Sequence, residues 1–422
     1  MFMNMASYDG VARKGAKSWK PARSLGWSFS TSRVLLALLI ALVPHDSKEQ
    51  VAVSRPIGES QASTAEPALP AILKIFRTFE VVGLPAAHGQ KDVDDFILSL
   101  IRDPRFSGSV NDIVVECGNV RYQPILDHYI AGENVSFTEV QHVWRDTTQP
   151  MCGESGFFEQ LYPLVRAMNQ QLPAAKRLRV LAADPPIDWT KVQTLQDITP
   201  FFDRDGSIAS VMEKEVLSKH RKALMLFGVF HLLHGSGPEQ GDAVTIYERH
   251  YPGKTFVISD LGYYSTNGEL LTDKPAALGT GPSLLRTKNS RLGSLGLGSF
   301  LPTPLTTDQD CNVVDAFAGK TSKTVSDLLD AFLYLGPQSL QLREPIPADI
   351  ALDHAYRAEW LRRLKVSGLP GPSTLEEVDA EIVASAADPI ILTPRNPDAK
   401  ELYPMIKQGC LMRKNAAPNT KP

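Results

Sequence analysis

The sequence has few cysteines and no surplus of basic charge, and each shortage excludes a class of protein. Its 422 residues include four cysteines, too few for a scaffold held by disulfides and too widely spaced for paired zinc ligands. Lys and Arg number 44 against 47 Asp and Glu, a net charge of −3. A nucleic-acid-binding body needs a basic surplus, so we expect no nucleic-acid partner. Hydrophobic residues make up 43% of the chain, which is enough for a large buried core.

Several catalytic motifs are also missing. The chain has neither the G-x-S-x-G element of serine hydrolases nor the G-x-x-x-x-G-K-[ST] loop of nucleotidases. His231 and His234 are three residues apart and lack the Glu of H-E-x-x-H, which excludes a standard zincin. The glycines of 293–298 do not link a strand to a helix, so we expect no dinucleotide site.

The hydrophobic run near the N-terminus is too short to span a membrane. Residues 1–33 carry six basic side chains and one acidic side chain, and the ten apolar residues 34–43 follow them. As a helix this run would cover roughly 15 Å, about half of a ~30 Å hydrocarbon core. A basic segment before a short apolar run is the layout of a secretory signal, so we expect an exported protein, periplasmic or secreted. The alternative is an uncleaved anchor that associates the N-terminus with a membrane.

The rest of the chain divides by composition. Residues 44–70 are polar, rich in Pro, Ser and Ala and without periodicity, which predicts a linker. The folded body is expected over 71–340. A helical extension with a polar tail is expected over 341–422, with helices over 348–366 and 373–386.

Strand-like and helix-like stretches alternate through the folded body. The strand-like runs are Phe79–Gly83, Ile113–Cys117, Leu178–Ala183, Ala223–Gly228, Thr255–Ser259 and Ala331–Leu335. Between them, 93–101 and 157–168 repeat apolar residues at helical spacing. Continuous apolar strands that alternate with amphipathic helices predict an α/β fold, a mainly parallel sheet with helices on both faces. The Gly-, Ser- and Pro-rich residues 277–306 are predicted to be a long loop that could act as a lid.

Titratable side chains follow four of these strands. His88 lies five residues after the first strand, Glu116 and Asp184 lie at the ends of the second and third, and His231 follows the fourth. Ligands bind at the carboxyl ends of parallel strands, so we expect these side chains to converge there. A carboxylate and two imidazoles could share acid–base catalysis, or bind a divalent metal through His88, Glu116 and His231. Each residue taken alone also has an ordinary structural role as a turn cap, an ion-pair member or a partner of a backbone carbonyl.

At these residues the chain resembles a known group of proteins. The His88-Gly89 segment, the run VVECGN around Glu116 and the G-x-x-H run from Gly228 to His231 are similar to motifs of the erythromycin esterase/ChaN/TraB/Tiki superfamily. The segments VWRDTTQ (143–149) and LRVLAADPPIDW (178–189) add to the resemblance, which covers roughly 78–340. It looks closest to the uncharacterised bacterial members of this group.

The resemblance implies a hydrolase-like protein. In the group are macrolide-hydrolysing esterases, metal-dependent proteases and a haem-iron-binding lipoprotein, so a small-molecule or peptide substrate and a divalent metal or haem are implied. His88, Glu116, His231 and Asp184 would then activate water to attack an ester or amide. Arg145 would balance an oxyanion or a substrate carboxylate, unless it only pairs with Asp146 on a helix surface.

One position departs from the pattern of this group. Its members usually read G-E-x-H at the first motif, and here Ala86 occupies the Glu position. Glu116, Asp184 or Glu154 would have to take the role of that Glu. The alternative function is therefore a catalytically impaired protein that binds a metal, haem or another small ligand.

The cysteines give a weaker signal. After export a pair could oxidise, and Cys152 and Cys311 lie in loop-like contexts where oxidation is easiest. Cys117 is expected to be a small buried hydrophobic residue at a strand end.

Overall fold

The structure is a computed structural model that describes residues 65–86, 89–235, 242–261, 281–296, 305–307, 310–315, 323–336, 341–369, 371–387, 407–408 and 410–411. They all belong to one of the two compact units of the chain, and the other unit, Arg13–Ser60, lies outside the described residues. The predicted basic region, the apolar run 34–43 and His88 also lie outside them. In the part of the chain that is described, no helix has the length and apolar character needed to cross a membrane.

The strands form one large sheet and one small hairpin in the described part of the chain. The strands are β1 (Ala65–Pro67), β2 (Val81–Pro85), β3 (Asp112–Asn119), β4 (Arg179–Asp184), β5 (Ala223–Phe227), β6 (Thr255–Asp260), β7 (Ser283–Arg286), β8 (Leu305–Thr307), β9 (Val313–Asp315) and β10 (Ala331–Tyr334). The large sheet has the order β1-β7-β10-β6-β2-β5-β3-β4, and β8 and β9 pair separately. The six strands from β10 to β4 run parallel, and β7 is antiparallel to both of its neighbours.

Alternate residues along the central strands face two separate cores. In β3, Ile113 and Val115 pack into one core and Val114 into the other. In β5, Leu224 and Leu226 belong to the first core, whereas Met225 and Phe227 belong to the second. Both faces of the sheet are therefore covered, which is why these strands read as continuous apolar runs in the sequence. The predicted α/β fold class is confirmed.

Helices cover the two faces and continue into the C-terminal part. They are α1 (Ala68–Ile75), α2 (Lys91–Arg102), α3 (Gln123–Ala131), α4 (Phe137–Arg145), α5 (Phe157–Gln171), α6 (Leu195–Ile198), α7 (Arg204–Val211), α8 (Ala243–Glu248), α9 (Ala348–Leu352), α10 (His354–Val366) and α11 (Leu375–Ala387). Helix α7 continues as a π-helical turn over Met212–Val216. The helical C-terminal part was predicted, but the expected helix over 348–366 is two helices. Asp353 separates them, and its side chain caps α10 by accepting a hydrogen bond from the Tyr356 amide.

Two stretches predicted to lack regular structure contain strands. Within the predicted linker 44–70, β1 pairs with β7, and α1 begins at Ala68, so ordered structure starts before residue 71. Within the predicted loop 277–306, β7 lies between β1 and β10. Over these described residues both predictions were wrong, because the strands are three or four residues long, too short for a recognisable period. Residues 44–64, the rest of the predicted linker, lie outside the described part of the chain.

Candidate functional site

Four neighbouring strands end at the same edge of the sheet. Strands β2 and β5 are in register from Val81 and Ala223 to Pro85 and Phe227, and β3 and β4 continue the parallel set. The amide of Ala86 donates a hydrogen bond to the carbonyl of Phe227 (3.0 Å). The carboxyl ends of β2, β5, β3 and β4 therefore lie side by side, and this edge is where a parallel sheet places its ligands.

A buried arginine, Arg204, links the polar side chains at this edge. Its Nε donates to Asp184 Oδ1 (2.8 Å) and its Nη2 donates to Glu116 Oε1 (3.0 Å). Its residue surface is only 8% exposed. Two carboxylates and the surrounding hydrogen bonds compensate for burial of this cation, and they raise the pKa of Arg204 although desolvation alone would lower it.

The start of α7 fixes the direction of the Arg204 side chain. The carboxylate of Asp203 accepts a hydrogen bond from the Gly206 amide (3.0 Å) and so caps the helix. Arg204 and Asp205 consequently occupy the first turn, next to the carboxyl ends of β4 and β5. This helix start delivers one cation and one carboxylate to the site.

Glu116 lies in the carboxyl half of β3, directly after Val115, where the regular pairing with β4 ends, and both of its oxygens accept hydrogen bonds. Oε1 accepts from Arg204, and Oε2 accepts from the backbone amide of Gly228 (2.6 Å), the residue that follows β5. The side chain thereby connects β3 to the loop that carries His231. Glu116 is only 3% exposed, and a buried carboxylate without partners would cost folding free energy, so these hydrogen bonds are needed.

Asp184 ends β4 and is fully buried. Oδ2 accepts from the backbone amide of Thr148 (2.6 Å) and Oδ1 from the Thr148 hydroxyl (2.8 Å). Burial raises the pKa of Asp184, and Arg204 and Thr148 oppose that rise. The carboxylate orients the guanidinium of Arg204 and is itself held by Thr148, in the loop that follows α4.

His231 is oriented by Asp205. Nδ1 of His231 lies 2.7 Å from Asp205 Oδ1, and Nε2 lies 3.4 Å from Glu116 Oε1. Burial lowers the pKa of His231, but Asp205 and Glu116 outweigh burial and raise the pKa to about 10. Arg204 Nη1 lies 3.2 Å from Nε2. In the neutral ring Nε2 accepts a hydrogen bond from this guanidinium, and in the protonated ring the same approach is a contact between two cations. The carboxylates of Glu116, Asp184 and Asp205 offset the two positive charges.

The described residues do not fit a metal ion at this edge. No group of three His, Cys, Asp or Glu side chains within them is arranged to hold one. Arg204 already supplies a cation between Glu116 and Asp184, and the oxygens that a metal would use accept hydrogen bonds instead. We therefore derive no step through a metal. The predicted ligand set of His88, Glu116 and His231 includes a residue outside the described part of the chain.

The structure brings together three of the residues that the sequence singled out. Glu116, Asp184 and His231 all contact Arg204, and His88 lies outside the described residues. Arg145 is elsewhere, since its Nη2 donates to Asp349 (2.5 Å) and Glu159 (3.4 Å) rather than to a site residue.

Sequence reasoning missed Arg204 and Asp205. They follow a loop rather than a strand, so the search at strand ends did not reach them. A helix start in the run FFDRDGS, with Asp203 in the capping position, was the available signal.

The cysteines form two disulfides that the sequence did not predict. Cys117 is bonded to Cys152, and Cys311 is bonded to Cys410. The expectation that Cys152 and Cys311 are the easiest pair to oxidise was therefore wrong, and Cys117 is not a free buried thiol. Cys117 is next to Glu116, so the first disulfide ties the end of β3 to the turn Pro150–Glu154.

Comparisons with solved structures return matches at low sequence identity, each with a TM-score below 0.5. A protein from Bacillus cereus is 11% identical, with 67% of this chain and 97% of that chain covered and a TM-score of 0.43. The erythromycin esterase EreC, a mutant in its open conformation, is 12% identical, with 65% and 97% covered and a TM-score of 0.40. ChaN of Campylobacter jejuni, in a structure with cofacial haem, is 12% identical, with 45% and 84% covered and a TM-score of 0.30.

No family model and no curated protein matches the chain.

Proposed function

We propose that this chain is an exported hydrolase-like protein that cleaves an ester or amide bond in a small molecule or peptide. The observation that carries the proposal is the pairing of a carboxylate-oriented imidazole with a buried guanidinium. Asp205 holds Nδ1 of His231, and Nε2 lies 3.2 Å from Arg204. Acyl transfer needs positive charge and donors near the carbonyl oxygen, and this arrangement provides both in a site of low dielectric.

His231 supplies the acid in this scheme. Its raised pKa of about 10 keeps the ring protonated at neutral pH, so Nε2–H can donate to the carbonyl oxygen or to the leaving group. Arg204 stabilises negative charge that develops on the same oxygen. Glu116 and Asp184 hold the guanidinium in place.

The base is assigned to His88 in this proposal. An unperturbed imidazole titrates near neutrality and can take a proton from water. The assignment uses only the place of His88 in the chain, three residues after Pro85, the last residue of β2. Glu116 is a poor base because both of its oxygens already accept hydrogen bonds.

Hydrolysis of a panel of esters and amides tests the proposal. We expect wild-type protein to turn over at least one of them and His231→Asn to lose most of that rate, since removing a general acid costs about 10²–10⁴-fold. His220→Asn is the matched control. His220 is exposed and adopts a left-handed conformation that Asn tolerates. No turnover by wild type, or equal rates in wild type and His231→Asn, would contradict the proposal.

A catalytically impaired binding protein is the second candidate. Ala86 favours it, because this residue has no group that could act as base or ligand where related proteins have Glu. Replacement Ala86→Glu adds a second test. A gain of hydrolysis would show that the wild-type site is one residue short of catalysis, and a folded variant without gain would favour the binding protein. For the binding protein we expect wild type to bind added haem and His231→Asn to bind haem more weakly.

Export is the third part of the proposal. A basic segment precedes the short apolar run 34–43, and two disulfides bond all four cysteines. Disulfides persist in oxidising compartments, so their presence supports a periplasmic or secreted protein. N-terminal sequencing of native protein tests this. A start after the apolar run indicates cleavage, a membrane-bound start before it indicates an anchor, and a cytosolic product that begins at Met1 would refute export.

A further inference from the structure

Helix α10, in the C-terminal part of the chain, contacts both loops that flank Asp184. The first loop follows α4 and contains Thr148, whose amide and hydroxyl donate to Asp184. The second loop follows β4 and contains Trp189. The indole Nε1–H of Trp189 donates to the carbonyl of Thr147 (3.0 Å), so the two loops are joined to each other.

Arg363 holds the first loop. Its Nη1 donates to the carbonyl of Arg145 (2.8 Å) and pairs with Asp146 Oδ1 (2.7 Å). The carbonyl of Arg145 belongs to the last turn of α4 and has no partner within that helix, so Arg363 caps the helix end from outside. Arg363 is only 7% exposed, and its removal would leave two buried acceptors without this donor.

Arg362 holds the second loop. Its Nη1 donates to the carbonyl of Val192 (2.6 Å) and its Nη2 to the carbonyl of Trp189 (3.2 Å). Glu359, one turn earlier in α10, accepts hydrogen bonds from both arginines. The guanidinium of Arg363 also lies over the Trp189 ring, 5.1 Å from its centroid.

We propose that α10 is a positioning element of the site and that Arg362 and Arg363 fix the two loops that present Asp184 to Arg204. The inference deepens the proposed function, since the positioned groups belong to the proposed site. Arg362 and Arg363 act through Thr148 and Asp184 and do not touch a reacting atom. The C-terminal extension is thus part of the working protein rather than an appendage to the α/β body.

Amide hydrogen exchange of the Thr148 backbone tests this inference without any turnover. The Thr148 amide donates directly to Asp184, whereas the Leu224 amide lies in the central strand β5. In Arg363→Gln we expect protection of Thr148 to fall about ten-fold or more beyond any fall at Leu224, because the loop opens locally. Arg363→Lys should retain part of the protection, since an ammonium keeps the charge but lacks the fork of the guanidinium.

Arg166→Gln is the matched control. Arg166 also donates to backbone carbonyls, those of Tyr129, Gly132 and Glu133, but it does so at the end of α3. We expect this variant to keep the wild-type ratio between the exchange protection of the Thr148 amide and that of the Leu224 amide.

The positioning role would be overturned if both Arg363 variants changed the exchange protection of Thr148 and Leu224 by equal factors. It would also be overturned if neither amide changed its protection. This result is separate from the proposed function. If wild type hydrolyses an ester, Arg363→Gln should lower kcat more than it changes KM. If wild type hydrolyses none, the exchange experiment still decides whether α10 positions the loop.

Discussion

At the scale of single residues, Arg204 decides the character of the site. Its guanidinium donates to Glu116 and to Asp184, so oxygens that could bind a metal already accept hydrogen bonds from a cation. The site is therefore built on fixed positive charge.

Replacement Arg204→Met should destabilise the protein in a pH-dependent way. Breaking a buried pair leaves uncompensated charge, so we expect the free energy of unfolding to fall by about 3–5 kcal/mol at pH 7. Without the cation the pKa values of Glu116 and Asp184 rise, and protonation of these carboxylates should restore part of the loss as the pH is lowered. Urea unfolding at pH 7 and pH 5 measures both effects. Arg105→Met, which removes an exposed pair with Asp103, should change little, and a loss that is equal at both pH values would contradict the expectation.

His231 makes stability fall on the alkaline side. Its pKa is about 10 in the folded protein and 6.5 in the reference state. A raised folded pKa contributes stability that is complete below pH 6.5 and is lost as the pH rises through about 10. The free energy of unfolding should thus decline between pH 7 and pH 10, and His231→Asn should flatten that decline. His234, with a pKa raised to about 9, contributes in the same direction, so His234→Asn is the comparison. Identical slopes in wild type and His231→Asn would rule out a protonated His231.

The sequence could predict some of these residues and not others. Glu116, Asp184 and His231 were found because each closely follows an apolar run, and the strand ends of a parallel sheet share one edge. Arg204 and Asp205 reach the same edge from the start of α7. Their contacts depend on where a helix lies against the sheet, which no local pattern encodes.

At the scale of elements, the sequence predicted the parallel strands of the large sheet but not β1 and β7, which form its antiparallel pairs. Strands β2 to β6 and β10 coincide with apolar runs, and their boundaries differ from the predicted ones by at most two residues. Strands β1 and β7 are stabilised by pairing with partners far along the chain, Ala65 with Leu285 for example. The disulfide between Cys117 and Cys152 is likewise a contact between elements, so the loop-like context of a single cysteine did not reveal it.

The close approach of β3 and β4 depends on Gly118. A Cβ at this position would lie 2.8 Å from the Cα of Ala182 and 2.8 Å from Cγ2 of Val115. Gly118→Ala should therefore push β4 away from β3 and lower the free energy of unfolding by about 1–3 kcal/mol, the usual cost of overpacking. Gly108→Ala is the control, since nothing lies within 4 Å of a Cβ there. Equal melting temperatures for the two variants would contradict this prediction, because they would show that β4 moves away from β3 without loss of stability.

At the scale of the whole molecule, the site draws on both the α/β body and the C-terminal part. The sheet supplies Glu116 and Asp184 at its carboxyl edge, and α7 supplies Arg204. Helix α10 closes over the loops that hold Asp184. The disulfide between Cys311 and Cys410 connects residues 99 apart in the chain. Because it closes a long loop, it also restricts the conformations of the unfolded chain.

The pH dependence of ester hydrolysis tests the proposed chemistry most directly. With a neutral base and a protonated acid in one site, kcat/KM should follow a bell-shaped curve. Its alkaline limb should fall as the pH rises through about 10, where His231 loses its proton, and His231→Asn should be slow and lack that limb. A wild-type rate that keeps rising through pH 10, or a His231→Asn protein with the same limb, would contradict the role of His231 as the acid.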